Sequence, residues 1–116
     1  MANKQAARKI FEMQCQICKA MAHPMRLEIV DLLNKKDMSA ADLLEELETS
    51  KANLSKHMTI LLQAGIVDAT RDGRQVSYHL TYPEIHEACR IMRSILYRRL
   101  KQGEKLATAI GSPRGI

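Results

Sequence analysis

The stretch over residues 50–64 predicts an amphipathic helix. Its larger apolar residues recur at the spacing that puts them on one face of a helix with about 3.6 residues per turn, namely Leu54, Met58, Leu61 and Leu62. The opposite face then carries small and polar side chains, namely Ala52, Asn53, Lys56, Thr59 and Gln63. A basic, amide-bearing face on a rigid apolar base suits an element that enters a nucleic-acid groove better than it suits a catalytic cleft.

The same periodicity predicts four further helices. They cover residues 4–22, a segment that starts at Pro24, residues 39–47, and a last segment from 84 to about 105. A capping box is predicted where Ser39 precedes Asp42 by three residues, and a second one where Thr81 precedes Glu84.

Residues 66–80 predict a β-hairpin. Residues 66–70 form the first strand, and residues 75–80 form the second, in which apolar and polar positions alternate. The dipeptide Asp72-Gly73 between them is a strong hairpin-turn signal. The predicted fold class is therefore mainly α with a small β-hairpin, with the elements in the order α1-α2-α3-α4-β1-β2-α5.

Composition and charge narrow the class of partner. The chain has 116 residues, and 18 Lys and Arg against 13 Asp and Glu give it a net charge of +5 and a pI near 9.3, which favours a polyanionic partner. The third helix is acidic, whereas the next helix and the hairpin tip are basic, as expected if one element faces phosphates and its neighbour does not. Taken singly, each charge also fits an ordinary solvated helix face.

The apolar content predicts an ordered domain without a membrane segment. The apolar fraction of 46% argues against disorder, and the aromatic fraction of 3% predicts an aliphatic core. No apolar run is long enough for a signal peptide or a membrane span, so we expect a cytoplasmic protein and no membrane partner. The three cysteines do not suit a secreted disulfide framework.

Two segments resemble the ArsR/SmtB family of winged-helix repressors. TSKANLSKHMTILLQAGIV followed by RDGRQVSYHL resembles the recognition helix and wing of that family, and AMAHPMRLEIVDLL resembles the helix that precedes them. The resemblance implies a winged helix-turn-helix fold and a homodimeric regulator that binds operator DNA and is usually released by a metal ion or a thiol-directed signal. We accordingly expect residues 1–106 to form a winged-helix DNA-binding and dimerisation domain, and residues 107–116 to form a disordered tail.

Eight residues are predicted to contact double-stranded DNA: Ser50, Lys51, Asn53, Ser55, Lys56, His57, Arg71 and Arg74. Asn pairs with adenine and Lys donates to guanine, while Ser50 and the two arginines at the hairpin tip suit phosphate. Ser55 and His57 are included because they stand at family positions that approach DNA, and His57 has the alternative of packing at the edge of the apolar face. Two copies would read half-sites about 34 Å apart, which predicts an inverted-repeat operator.

The last helix carries more apolar residues than it needs to pack on a small core. They are Ile85, Ala88, Cys89, Ile91, Met92, Ile95, Leu96 and Leu100. The surplus predicts a homodimer in which the first and last helices form the two-fold interface. The alternative is a monomer whose last helix wraps the core.

Four residues are candidates for a sensing site. Cys15 and Cys18 are one turn apart in the first helix, and His86 and Cys89 are one turn apart in the last. If these helices pair, three thiolates and an imidazole suit zinc, three thiolates suit arsenite, and two thiols suit oxidation or a polysulfide link. Each change would bias the dimer towards or away from a DNA-binding shape.

A plainer alternative makes these thiols structural. In it, Cys18 and Cys89 are small core residues and Cys15 is incidental. The metal boxes better known in the family are also missing, because residues 39–42 hold no cysteine pair and the last helix has Tyr97 and Leu100 near the expected ligand positions. A standard zinc site on the last helix is therefore not expected.

Two other classes of function compete with the regulator. An enzyme would use Cys89 as nucleophile and His86 as base, but the sequence has no Gly-rich phosphate loop, oxyanion motif or second acid-base set, so no enzyme is predicted. The other is a ligand-independent winged-helix regulator or a protein-interaction module with structural cysteines.

Overall fold

The computed structural model describes residues 3–103 and residue 110. Its elements are α1 (Lys4–Met21), α2 (Pro24–Lys35), α3 (Ala40–Glu46), α4 (Lys51–Gln63), β1 (Val67–Asp72), β2 (Gln75–Leu80) and α5 (Glu84–Gln102). The predicted fold class and element order are confirmed. The chain divides into two compact units, one ending at Tyr82 and the other beginning at Pro83.

Side chains cap the starts of the first four helices. The capping residues are Asn3, His23, Ser39 and Ser50. The capping box predicted for α3 is confirmed, since Ser39 Oγ accepts from the Asp42 N–H at 3.1 Å and the Asp42 carboxylate accepts from the Ser39 N–H at 3.0 Å. Hydrogen bonding to Ser39, first through its backbone and then through its side chain, lowers the pKa of the Asp42 carboxyl group.

The core of the first unit is aliphatic, as the composition predicts. Its largest fully buried side chains come from α2, α3, α4, the start of β1 and the residue before β1, and they are Ile29, Val30, Leu43, Leu61, Ile66 and Val67. α4 contacts α1, α2, α3 and β1. This packing decides which face of α4 is left for a partner.

The hairpin differs from the prediction at its turn. β1 and β2 are antiparallel and paired as far as Asp72 opposite Gln75, so the loop consists of Gly73 and Arg74 and lies one residue later than predicted. β1 likewise covers residues 67–72 instead of 66–70. Gly73 has a φ of 63°, which fits the first central position of a type II′ turn, where glycine is favoured. The turn chemistry therefore leaves Asp72 in the ladder.

A short bridge ties the base of the hairpin to the segment before α3. Met38 and Tyr78 exchange two backbone hydrogen bonds, 3.1 Å from the Met38 N–H to the Tyr78 carbonyl and 2.8 Å in the other direction. Met38 is itself buried. β2 is therefore hydrogen-bonded to the segment before α3 as well as to β1.

α5 starts differently from the other helices. The capping box predicted from Thr81 and Glu84 is wrong, because Pro83 takes the cap position and no side chain caps the helix. The helix is described to Gln102, and the predicted end near residue 105 and the predicted tail over residues 107–116 lie outside the described residues, apart from Ile110. In the part of the chain that the structure describes, no helix has the length and apolarity needed to span a membrane.

Candidate nucleic-acid interface

The turn between α3 and α4 positions the first residues of α4. Ser50 is the cap, and its Oγ accepts a hydrogen bond from the Asn53 N–H at 3.1 Å. The Asn53 side-chain amide donates to Thr49 Oγ1 at 2.8 Å. The first-turn N–H groups of a helix lack partners within the helix, and together with the helix dipole they favour an anion. The start of α4 is therefore suited to a backbone phosphate.

α4 has one buried face and one exposed face. Leu54, Met58 and Leu61 are 2%, 4% and 0% exposed. The residues predicted to face outward are all exposed, namely Ala52, Asn53, Lys56, Thr59 and Gln63. The core thus holds the backbone of α4 in place while its amide and ammonium groups meet solvent.

Cations extend this polar surface on both α4 and the hairpin. Lys51 and Lys56 on α4 are exposed, and so are Arg71 on β1 and Arg74 in the hairpin loop. Asp72 is exposed between the two arginines along the chain, so the hairpin tip carries one carboxylate beside its two guanidinium groups. Arg74 stands in the two-residue loop itself, where a side chain can reach a phosphate with little hindrance.

His57 lies in the core, although it was predicted among the DNA-contacting residues. Its side chain is 3% exposed, so in this conformation it cannot reach a base or a phosphate. The structure therefore adopts the alternative in which His57 packs with the apolar face of α4. The helical spacing already contained this signal, because position 57 is three residues after Leu54 and four before Leu61, on the buried face.

His57 contacts two basic residues from the start of α2. Arg26 Nη1 donates to His57 Nδ1 at 3.1 Å, and the His23 and His57 rings lie 4.3 Å apart between centroids with a 45° tilt. Burial, and after it the charges of His23, Arg26 and Lys56, lower the pKa of the His57 imidazole below its usual value. Sequence reasoning missed this contact, because 31 residues separate Arg26 from His57 and no periodicity links them.

The candidate sensing residues occupy two helices. Cys15 and Cys18 on α1 are both exposed, so neither is the core residue that the structural alternative requires of Cys18. His86 and Cys89 on α5 are partly buried. In the described part of a single chain, no three or more Cys, His, Asp or Glu side chains are grouped closely enough to hold a metal ion.

The chain is similar to known helix-turn-helix transcriptional regulators. A family model for a helix-turn-helix domain matches residues 21–69. The HTH-type transcriptional regulator Rv0081 of Mycobacterium tuberculosis, described as uncharacterized, is 34% identical over 92 residues, which cover 78% of this chain and 81% of that protein. The arsenical resistance operon repressor of Staphylococcus xylosus is 38% identical over 66 residues, covering 57% of this chain and 64% of the repressor.

Solved structures share the fold. The crystal structure of Rv0081 has a TM-score of 0.72 at 33% identity and covers 80% of this chain and 94% of that one. The NMR structure of Mb0332 from Mycobacterium bovis, a homodimeric winged helix-turn-helix DNA-binding domain and a possible ArsR-family regulator, has a TM-score of 0.76 at 19% identity and covers 88% of this chain and 95% of that one. The second likeness concerns the fold alone.

Proposed function

The chain belongs to the ArsR/SmtB family of winged helix-turn-helix transcriptional repressors, and we propose that it works as a homodimer that binds an inverted-repeat operator and is released by a signal acting on its thiols. It is a transcriptional regulator and not an enzyme. The observation that carries the DNA-binding proposal is the exposed polar face of α4, mounted on three buried apolar side chains. The proposed location is the cytoplasm, where operator DNA lies.

We assign different tasks to the side chains of this surface. Asn53 and Lys56, on the outward face of α4, would read base edges in the major groove, since Asn pairs with adenine and Lys donates to guanine. Ser55 is exposed on the same helix and joins them. The phosphate contacts would come from Ser50, Lys51, Arg71 and Arg74, and these would position the helix without reading sequence.

The homodimer is proposed from exposed apolar side chains on two helices. On α1, Phe11 and Met13 are 63% and 59% exposed, and on α5, Met92 is 69% exposed. Apolar patches of this kind on a small domain mark interaction surfaces. Mb0332, which shares the fold, is described as homodimeric. A two-fold dimer would present two copies of α4 and thereby match an inverted repeat.

The thiol signal is proposed from the position of Cys15 and Cys18. Both are exposed, and they lie three residues apart on one helix, where Cβ atoms are about 5–6 Å apart. A direct disulfide needs about 3.5–4.5 Å between Cβ atoms, so these two thiols are better suited to a bridging atom than to a direct S–S bond. An arsenite chelate or a sulfur bridge meets that need.

Both bridges can be written as balanced steps. With arsenite, two thiols and one molecule of arsenous acid give a dithiolate that keeps one hydroxyl group on arsenic, together with two water molecules, without any change of oxidation state. With a polysulfide, two thiols and two sulfane sulfur atoms give a trisulfide and hydrogen sulfide, so that the thiols are oxidised and one sulfur atom is reduced.

His86 and Cys89 supply an imidazole and a further thiol of the kinds that zinc accepts. A four-coordinate zinc site would need two further donors beside them.

The test of DNA binding starts from a random library, so the operator sequence need not be known. A duplex would be selected from the library by the purified protein, and we expect it to contain an inverted repeat protected over two half-sites. Replacing Lys51, Asn53, Lys56 and Arg74 jointly by Ala should remove the affinity. Replacing the exposed Lys4, Lys35 and Lys101 by Ala removes the same number of charges and should weaken binding only slightly. Equal losses in the two variants, or intact binding by the first, would contradict the assignment. Failure of the wild-type protein to select any duplex would favour a protein-interaction module.

The test of the signal uses the same duplex. The reduced protein bound to DNA would be titrated with Zn(II), As(III) and a polysulfide, and release by As(III) or polysulfide should disappear in Cys15→Ser and in Cys18→Ser. Cys89→Ser shows whether the α5 thiol takes part, because release that needs Cys89 requires a ligand set larger than the α1 pair. Release by none of the three reagents would leave a ligand-independent regulator with structural cysteines.

A further inference from the structure

A cluster of three basic side chains lies at the junction of α2 and α4. It consists of His57, Arg26 and His23, and we call it the His57 cluster. The Arg26 guanidinium donates to His57 Nδ1, and the His23 ring packs against the other ring. His23 Nδ1 also accepts from the Met25 N–H at 3.0 Å and so caps α2. The cluster therefore joins the start of α2 to the middle of the helix that would read DNA.

The hydrogen bond requires one protonation state of His57. Guanidinium only donates, so Nδ1 must carry a lone pair, and the proton of the neutral ring must sit on Nε2. An imidazolium ring has no acceptor and would place a positive charge against Arg26. Arg26 Nε is already buried without a hydrogen-bond partner in the described part of the chain. Losing the bond to His57 would therefore take the partner from a second nitrogen of this part-buried guanidinium, which is costly.

We propose that neutral His57 is a positioning residue that locks α4 to α2 through Arg26, so that protonation of its ring releases α4 and weakens DNA binding. This inference rests on the proposed DNA-binding function. His57 directly follows Lys56 and is four residues after Asn53, so a rotation of α4 about this point would move both proposed base-reading side chains.

The charges around the ring all act in the same direction. They come from His23 in the connection before α2, Arg26 on α2 and Lys56 on α4. None of these three residues lies on α1, α3 or β1, the other elements that contact α4. Burial and these cations lower the pKa of His57, so the neutral ring predominates above the ordinary value of 6.5. Affinity for DNA should be complete there and should fall as the pH drops through the lower pKa of the folded protein.

This direction is opposite to the one that general electrostatics gives. Acidification adds positive charge to a protein and ordinarily tightens its binding to polyanionic DNA. Weaker binding at low pH would therefore need a specific cause, and the His57 cluster supplies one.

The experiment measures the dissociation constant for the selected duplex between pH 8.0 and pH 5.5 at constant ionic strength. We expect the wild type to lose affinity with a slope of at most about 100-fold per pH unit, as one proton on each of the two subunits of the dimer allows. In His57→Asn, the Oδ1 atom can replace Nδ1 as an acceptor without titrating. This variant should bind within about threefold of the wild type at pH 8.0 and show no loss on acidification. The matched variant His79→Asn, which removes an imidazole from the hairpin instead, should keep the wild-type slope.

A second measurement does not depend on DNA. The ring nitrogens of His57 and the backbone amides of residues 51–56 would be followed by NMR through the same pH range. We expect Nε2–H as the neutral tautomer and amide shifts that track the His57 titration. Any one of three results would overturn the proposal. They are a wild-type affinity that stays flat or increases at low pH, a His57→Asn variant that keeps the slope, and α4 amide shifts that do not change during the His57 titration. Absence of DNA binding at every pH would instead contradict the proposed function, while the NMR titration would still test the lock.

Discussion

α4 and α5 are both amphipathic helices, but they expose opposite kinds of surface. α4 buries Leu54, Met58 and Leu61 and exposes polar side chains, whereas α5 leaves Ile91 and Met92 53% and 69% exposed. Their starts differ as well, since Ser50 caps α4 and no side chain caps α5. The apolar face of α4 thus has its partners within its own unit, and a large part of the apolar face of α5 is open to solvent.

This difference indicates what each helix requires. A helix whose apolar face is already buried is stabilised by its own chain, and its polar face is left to meet a charged or hydrogen-bonding partner. A helix with exposed apolar side chains gains stability only when another surface covers them. The same periodicity therefore predicts a nucleic-acid surface on α4 and a protein surface on α5.

The largest expected effect comes from a substitution on the buried face of α4. Leu61→Ala should lower the free energy of unfolding by about 2–5 kcal/mol, because Leu61 is 0% exposed and its truncation leaves a cavity in the core. Urea unfolding measures this loss, which should be the same at every protein concentration. Leu96→Ala on α5 is the control, since that side chain is 46% exposed and its effect should depend on protein concentration if the helix pairs between chains. A loss below about 1 kcal/mol for Leu61→Ala would contradict the packing.

The next effect tests the exposed apolar face of α5. Met92→Asp should raise the dissociation constant of the homodimer about 100-fold or more, because a carboxylate would be buried in an apolar contact without a partner. Sedimentation velocity over a range of protein concentrations measures the change. Ser94→Asp adds the same charge on the same helix outside the apolar stripe and should leave the dimer intact. Equal behaviour of the two variants would exclude this face as the interface.

A smaller effect concerns the two helix starts. Ser50→Ala should cost about 1 kcal/mol of stability, because the N–H of Asn53 loses its acceptor, and Ser50→Gly should cost only a few tenths of that unit. At α5, where no side chain caps the helix, Thr81→Ala should change stability by less than about 0.5 kcal/mol. Thermal and urea unfolding of the three variants measure these changes in stability. A large loss of stability in Thr81→Ala would contradict the observed helix start.

The smallest effect is a pH dependence at the start of α3. The folded pKa of Asp42 lies below its ordinary value of 3.8 because of its bonds to Ser39. The stabilisation is therefore present above that value and is lost as the pH falls through the lower, folded pKa. We expect Asp42→Asn to be less stable than the wild type at pH 7 and the difference to shrink below about pH 4. A difference that stays constant down to about pH 2.5 would show that the carboxylate is not the stabilising group.

Local features were predictable from the sequence because they depend on neighbours along the chain. The two faces of α4 follow from helical spacing, and the Ser39 capping box follows from short-range hydrogen bonding. The hairpin was predicted in place but one residue out at its turn. The Asp-Gly signal does not say which two residues form the loop, and the pairing of Asp72 with Gln75 does.

The amino-acid sequence by itself determined the order of the helices and strands, the polar face of α4 and the charge that suits it to DNA, since periodicity and composition act locally or over the whole chain. Only the tertiary structure decided that His57 is bonded to Arg26, because a contact across 31 residues arises from how helices pack and leaves no trace in spacing. The tertiary structure likewise decided that Cys15 and Cys18 are exposed, because burial depends on which surface another element covers.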